Sequence, residues 1–201
     1  MYYEIYQKTL ISLILVLLTM SPISAKIGSE NFQQAYAAEK YGTWIKSEDG
    51  KWWYKYYDGS FPVGWASISG KWYYFDSEGW MLTGWQKINN TWYYLKSSGD
   101  MATGWQYIDG YWYYLDAQIG NMKIGWQKIN NNWYYFNDSG QMLNKWQKIN
   151  GSWYYLNDSM YENTWVEGYY LKNGGAMASG ESLWIDGKYY MFDEDGKVIS
   201  N

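Results

Sequence analysis

The chain has 201 residues and contains neither cysteine nor histidine. The first absence excludes a disulfide framework and thiolate chemistry; the second removes the commonest general base and the commonest zinc ligand. Basic residues are not clustered and the formal net charge is only −4. Nothing in the sequence tracks a phosphate backbone, so nucleic acid is not an expected partner. Phenylalanine is scarce too, 5 residues against 16 Trp and 25 Tyr. Those two dominant side chains each join a large apolar body to a polar handle, which suits surfaces that are half packed and half wet. The acidic residues fall mostly in turn contexts, as in Asp58-Gly59, Glu78-Gly79 and Asp195-Gly196, where an ordinary turn role explains them. With no nucleophile and base paired in the pattern, no catalytic residue, cofactor or metal is expected, and the chain reads as a non-enzyme.

Residues 10–18 are an apolar run interrupted only by Ser12, preceded by Lys8 and followed by Pro22, Ser24 and Ala25. The run is short for a bilayer span. Residues 1–25 therefore read as a secretory signal peptide, cleaved after Ala25 or at the more distant Ala35-Tyr36-Ala37, which leaves no transmembrane anchor. Residues 26–43 are polar and aperiodic and read as a linker. Too few residues separate the signal from Trp44 to hold a further domain, so the expectation is a free-standing module over 44–201.

What is present in that module is one unit repeated. A leading tryptophan falls at Trp65, Trp85, Trp105, Trp126, Trp146 and Trp165, and a second one seven residues later at Trp72, Trp92, Trp112, Trp133 and Trp153. A recurrence near 20 residues marks stacked repeats. Within a unit the period is two: in Lys71-Trp72-Tyr73-Tyr74-Phe75, Trp72 and Tyr74 share one face and Tyr73 and Phe75 the other. Trp65–Ile68 reads as a preceding strand, with Ser69-Gly70 between them. Asn89-Asn90, Asp109-Gly110, Asn130-Asn131 and Asn150-Gly151 occupy the same place, and such pairs signal two-residue hairpin turns. Each unit is thus a β-hairpin and a loop. One hairpin is marginal in water, so the units must stack, giving an all-β repeat solenoid. The pattern decays after Trp165: the next unit lacks its second Trp, Glu181 stands at the expected leading position, and residues 181–201 read as a cap that leaves room for end-to-end pairing of two chains.

Tyr73, Tyr93, Tyr113, Tyr134 and Tyr154, with Phe75, Leu95, Leu115, Phe136 and Leu156, form a stripe that reads as core. The opposite face carries two Trp and a Tyr per unit, with a Met after the loop and no branched aliphatic. Packing alone favours Leu, Ile and Val there. Ring faces brought together between units would instead hold a quaternary ammonium or the apolar face of a sugar, at about 0.5–2 kcal/mol for each cation–π contact.

The unit, Gly-Trp, six residues, Trp-Tyr-Tyr, Phe or Leu, then Gly-x-Met-x-x-Gly-Trp, resembles the cell-wall-binding repeats of Gram-positive surface proteins, the choline-binding modules above all. That resemblance spans Trp44 to Asn201 and implies about three hairpins per superhelical turn. It further implies a choline between consecutive hairpins, held by both Trp of one unit, its Met, and the second Tyr of the next. Carried onto this chain it gives Trp65, Trp72, Met81 and Tyr94; Trp85, Trp92, Met101 and Tyr114; Trp105, Trp112, Met122 and Tyr135; and Trp126, Trp133, Met142 and Tyr155. Two sets depart from the pattern: Trp44, Trp52, Phe61 and Tyr74, with Phe for Met, and Trp146, Trp153, Met160 and Tyr170, with a shortened loop. A last set of Trp165, Met177 and Met191 lacks its second Trp and is expected to be inactive. The partner so implied is choline-decorated teichoic or lipoteichoic acid on the cell wall. α-Glucan or another wall polysaccharide is the alternative ligand, and a structural or adhesive scaffold the alternative role.

Overall fold

The computed structural model describes residues 41–200; the signal-like segment 1–25 and the linker up to residue 40 lie outside the described residues. Every regular element in the described part is a strand, and eight antiparallel hairpins follow one another. Hairpin 1 pairs Gly42–Lys46 with Trp52–Tyr56, hairpin 2 Gly64–Ile68 with Lys71–Phe75, and hairpin 3 Gly84–Ile88 with Thr91–Leu95. Hairpin 4 pairs Gly104–Ile108 with Tyr111–Leu115, hairpin 5 Gly125–Ile129 with Asn132–Phe136, and hairpin 6 Lys145–Ile149 with Ser152–Asn157. Hairpin 7 is cut to Thr164–Val166 and Tyr169–Leu171, and hairpin 8 pairs Ser182–Ile185 with Lys188–Phe192. Two short strands, Ser159–Met160 and Val198–Ser200, add to the edges of hairpins 6 and 8.

The turn chemistry accounts for the hairpins. Both central residues have positive φ in Asp109-Gly110 (50° and 87°), Asn130-Asn131 (48° and 70°) and Asn150-Gly151 (50° and 89°), the geometry whose twist matches that of the strands. Hairpin 1 instead turns through Ser47–Lys51, where the Ser47 amide donates to the Lys51 carbonyl at 2.9 Å. That wider turn absorbs the extra residue between Trp44 and Trp52.

The chain divides into two compact units: one holds residues up to Gly84 with Ser97–Met101, the other Trp85–Lys96 and everything from Ala102 onward. In the first, Tyr54, Ala66, Ile68 and Phe75 are buried together, with Trp44, Tyr73 and Met81 packed against them. In the second, Leu95, Leu115, Phe136, Leu156 and Leu171 are almost fully buried, one in each hairpin from the third to the seventh. The Phe and Leu members of the expected core stripe are therefore core. A separate C-terminal cluster gathers Ala178, Ile185 and Phe192.

Each loop ties the hairpin it follows to the hairpin before that one. After hairpin 4, the Met122 amide donates to the Trp92 carbonyl of hairpin 3 at 2.8 Å and the Lys123 amide to the Tyr114 carbonyl of hairpin 4 at 2.9 Å. After hairpin 5, Met142 donates to Trp112 and Leu143 to Tyr135. In the first unit Met81 does the same to Trp52, Leu82 to Tyr74, and Met101 to Trp72. Each second strand is an edge with carbonyls left over by its own hairpin, and the loop satisfies them. An Asx turn shapes the loop start: Asp76 Oδ1 accepts from the amides of Glu78 and Trp80, and Asn137 Oδ1 from those of Ser139 and Gln141. These carboxylates and amides are engaged in turns, as the sequence suggests.

Glycine is required where successive loops meet. Gly140 has φ +78°, and a Cβ there would run into the Met122 sulfur; Gly99, φ +85°, stands in the same relation to Met81. Phe61 takes the equivalent place under Gly79, where a Cβ would lie 2.5 Å from its ring, so Phe61 does occupy the loop position that Met holds elsewhere.

Candidate functional site

Strand pairing fixes which rings share a face. Trp105 lies opposite Tyr114, and Tyr107 opposite Trp112, so both Trp and the second Tyr of hairpin 4 project to one side. The two Trp rings meet edge to face at 6.2 Å and 88°, and Trp105 meets Tyr114 at 5.2 Å. Hairpin 5 repeats this with Trp126, Trp133 and Tyr135, at 6.3 Å and 5.1 Å. Hairpin 2 (Trp65, Trp72, Tyr74), hairpin 3 (Trp85, Trp92, Tyr94) and hairpin 1 (Trp44, Trp52, Tyr54) follow the same arrangement.

Within each compact unit the opposite wall of a niche comes from the next hairpin, and here the structure departs from the expected grouping. The ring that crosses over is the first Tyr of the pair. Trp85 meets Tyr113 at 4.8 Å, Trp105 meets Tyr134 at 4.8 Å, and Trp126 meets Tyr154 at 5.0 Å. Likewise Trp44 meets Tyr73 at 4.9 Å and Trp146 meets Tyr169 at 5.4 Å. Tyr74, Tyr94, Tyr114, Tyr135, Tyr155 and Tyr170 instead lie beside the leading Trp of their own hairpins. The physical reason is the period of two: a residue cross-strand from the leading Trp shares its face, so only its neighbour points back to the hairpin before.

The methionines are offset by one unit for the same kind of reason. Because each loop reaches back, Met81 is bonded through its amide to Trp52, Met101 to Trp72, Met122 to Trp92, Met142 to Trp112 and Met177 to Trp153. The rings of these niches are thus Trp44, Trp52 and Tyr73 in the first unit, with Met81 packed beside Trp44 and Tyr73, and in the second Trp85, Trp92 and Tyr113, then Trp105, Trp112 and Tyr134, with the Met122 and Met142 amides bonded to the second Trp of each. Trp126 and Trp133 are joined by Tyr154, and Trp146 and Trp153 by Tyr169 and Met177. Met160 pairs with Leu156 at the edge of hairpin 6, and a Cβ on Gly175 would strike it. Met177, expected beside Trp165, lines the Trp146 niche, while Trp165 packs on Tyr190 and Phe192 at 5.2 and 5.9 Å. In hairpin 8 the leading position, opposite Met191, is Ser182 and not Glu181.

The second Trp of each niche keeps a face in solvent: Trp112 is 44% exposed and Trp133 39%. Across the strand from it stands a cation in several hairpins. Lys87 Nζ is 5.8 Å from the Trp92 ring centroid, Lys128 5.9 Å from Trp133, and Lys148 5.9 Å from Trp153. Burial raises the Tyr93 phenol above its ordinary range, and burial together with the Asp100 carboxylate raises that of Tyr73. Both hydroxyls therefore stay neutral at physiological pH. Among the described residues no group of three or more acidic side chains could hold a metal ion, and no helix is long and apolar enough to cross a membrane.

Two features define the class: successive β-hairpins with a Met-bearing loop, and half-open niches walled by two Trp and a Tyr. The chain belongs to the choline-binding repeat family of Gram-positive cell-wall-binding proteins, whose profile matches residues 82–124 and 123–165, with a cell wall binding repeat at 63–81. Choline-binding protein F of Streptococcus pneumoniae, solved with a peptidoglycan analogue, is 40% identical with a TM-score of 0.71, over 80% of this chain and 58% of that one. CbpJ from the same species is 37% identical with a TM-score of 0.69, over 79% and 58%. The modular autolysin LytC of S. pneumoniae is 29% identical with a TM-score of 0.55, over 79% and 42%. This chain therefore spans a little over half the length of the first two relatives. A search of the curated proteins finds no match.

Proposed function

We propose that the chain is a secreted, non-catalytic module that holds choline groups of a wall-borne teichoic or lipoteichoic acid in the niches between its hairpins. The observation that carries this reading is the recurring set of two edge-to-face Trp rings and one Tyr from the next hairpin, with a Met bonded through its amide to the second Trp, left open on the Trp side. Ring faces attract a quaternary ammonium through their quadrupoles, and its methyl groups replace water against apolar surface. No carboxylate is needed for that chemistry. The lysines beside Trp92, Trp133 and Trp153 suit a choline carried on a phosphate, because an anion next to the bound head would then meet a cation at the rim. A second reading, binding of α-glucan or another wall polysaccharide, also uses ring faces, but gives those lysines no partner.

Retention on a choline-bearing resin and on a dextran resin, each eluted with free choline, tests the proposal. The expected result is retention on the first alone, release by free choline, and weakened retention for Trp112→Ala and Trp133→Ala with the hairpins still folded. Retention on dextran that choline does not reverse would favour the polysaccharide reading.

A further inference from the structure

The niche at hairpins 6 and 7 differs from the others in charge. It is a cavity of about 510 Å³ lined by Trp146, Trp153, Glu167, Tyr169, Met177, Asp195 and Lys197, within the range of roughly 300–1,000 Å³ typical of small-molecule sites. Glu167 Oε2 accepts a hydrogen bond from the Trp146 indole Nε1 at 2.9 Å.

The shortening of hairpin 7 explains how a carboxylate came to lie there. In hairpin 5 the turn Asn130-Asn131 follows five residue pairs, whereas in hairpin 7 Glu167-Gly168 follows three. Removing two pairs deletes the second Trp of hairpin 7 and draws its turn inward until the turn side chain reaches the leading Trp of hairpin 6. The equivalent turn residues of hairpins 5 and 6, which wall the Trp105 and Trp126 niches, are Asn130 and Asn150, both neutral amides. Lys148 covers the Trp153 ring while Glu167 holds the Trp146 ring. Asp195 and Lys197 oppose each other in sign, and Glu167 is the one acid of the lining bonded to the aromatic wall itself.

We infer that this niche is an acid-bearing cage that takes ammonium groups still carrying N–H hydrogens, a primary alkylammonium among them, as well as a quaternary one. This rests on the proposal that the niches bind ammonium heads. A primary ammonium is strongly hydrated, and rings alone cannot replace the hydrogen bonds it gives up on entering. The Glu167 carboxylate can accept one of them as a charge-assisted bond. The all-ring niches offer no charged acceptor for the N–H groups of a primary ammonium.

The test is a titration of the full chain with choline and, separately, ethanolamine, followed by the indole N–H signals in proton–nitrogen correlation spectra. Trp146, Trp105 and Trp126 are assigned by single Trp→Phe variants. Ethanolamine is expected to move the Trp146 signal and leave Trp105 and Trp126 in place, whereas choline moves all three. Glu167→Asn keeps a residue suited to the positive φ of 51° and should weaken the ethanolamine response about tenfold or more while leaving choline within a few-fold. Glu167→Gln should behave alike, and unshifted Trp105 and Trp126 signals report that the hairpins remain folded. Ethanolamine that moves no signal, moves all three equally, or acts undiminished on both variants overturns the inference. Were choline to move none while ethanolamine moved Trp146 through Glu167, the quaternary-ammonium reading would fail and the acid-bearing cage would stand.

Discussion

Tyr113 and Tyr114 are adjacent in sequence, yet one faces Trp85 of the hairpin before and the other Trp105 of its own. The division between core and niche is made at this scale. Leu115 is fully buried while Trp112 is 44% exposed, so truncating them should have opposite signatures. Leu115→Ala is expected to cost about 2–5 kcal/mol in denaturant unfolding. Trp112→Ala should cost less than about 2 kcal/mol and abolish the choline response of its own niche. Equal destabilisation by both would mean that Trp112 is a packing residue. The rim lysines give a second prediction: Lys128→Met should weaken phosphocholine binding while leaving or improving free choline, as read by calorimetry. A uniform loss for both ligands would remove the phosphate from the account.

The hairpin was legible in the sequence, because alternation in Lys-Trp-Tyr-Tyr-Phe and the Asn-Gly and Asp-Gly pairs both act over a few residues. The loop connection was not. Spacing places Met122 after Leu115, but only the folded chain shows its amide bonded to Trp92 two strand pairs earlier. Local pattern fixes which residues share a face; it does not fix which earlier hairpin a loop returns to. The signal that could have found Tyr113 was present, since the residue next to a face-sharing Tyr must point the other way. Glu167 left only a faint trace, a shortened unit with an acid at its turn.

At the same scale, Gly140→Ala should destabilise by about 1 kcal/mol or more, because it combines a left-handed φ with a collision at Met122. Adding Met122→Ala should recover part of that loss in thermal unfolding. Asp116 offers a pH prediction. Partial burial alone would raise its carboxyl, but Lys123, 2.8 Å away, and the amides of Gln118 and Ile119 outweigh this and hold it below the ordinary range. A depressed native value means that the contribution is present at neutral pH and is lost as pH falls from about 4 down through the lowered native value. The protection factors of amides in residues 116–123, taken against their intrinsic exchange rates, should fall on acidification, and Asp116→Asn should flatten that dependence.

For the whole molecule the consequence of several niches is additive stabilisation by ligand. Each site that binds only the folded chain contributes RT ln(1 + [L]/Kd), about 2.7 kcal/mol at a hundredfold excess over Kd. Choline well above Kd should therefore stabilise the chain with a slope against the logarithm of its concentration several times RT, where a single site would give RT. Linked weak sites on a polymer gain roughly 10²–10⁴ in avidity, which accounts for a chain built on repetition in place of one deep pocket. The measurement that bears most directly on this is a crystal structure of the chain grown with saturating choline. The account predicts trimethylammonium density against Trp126, Trp133 and Tyr154, and likewise against Trp105, Trp112 and Tyr134; niches filled only by water, with choline elsewhere or nowhere, would contradict it.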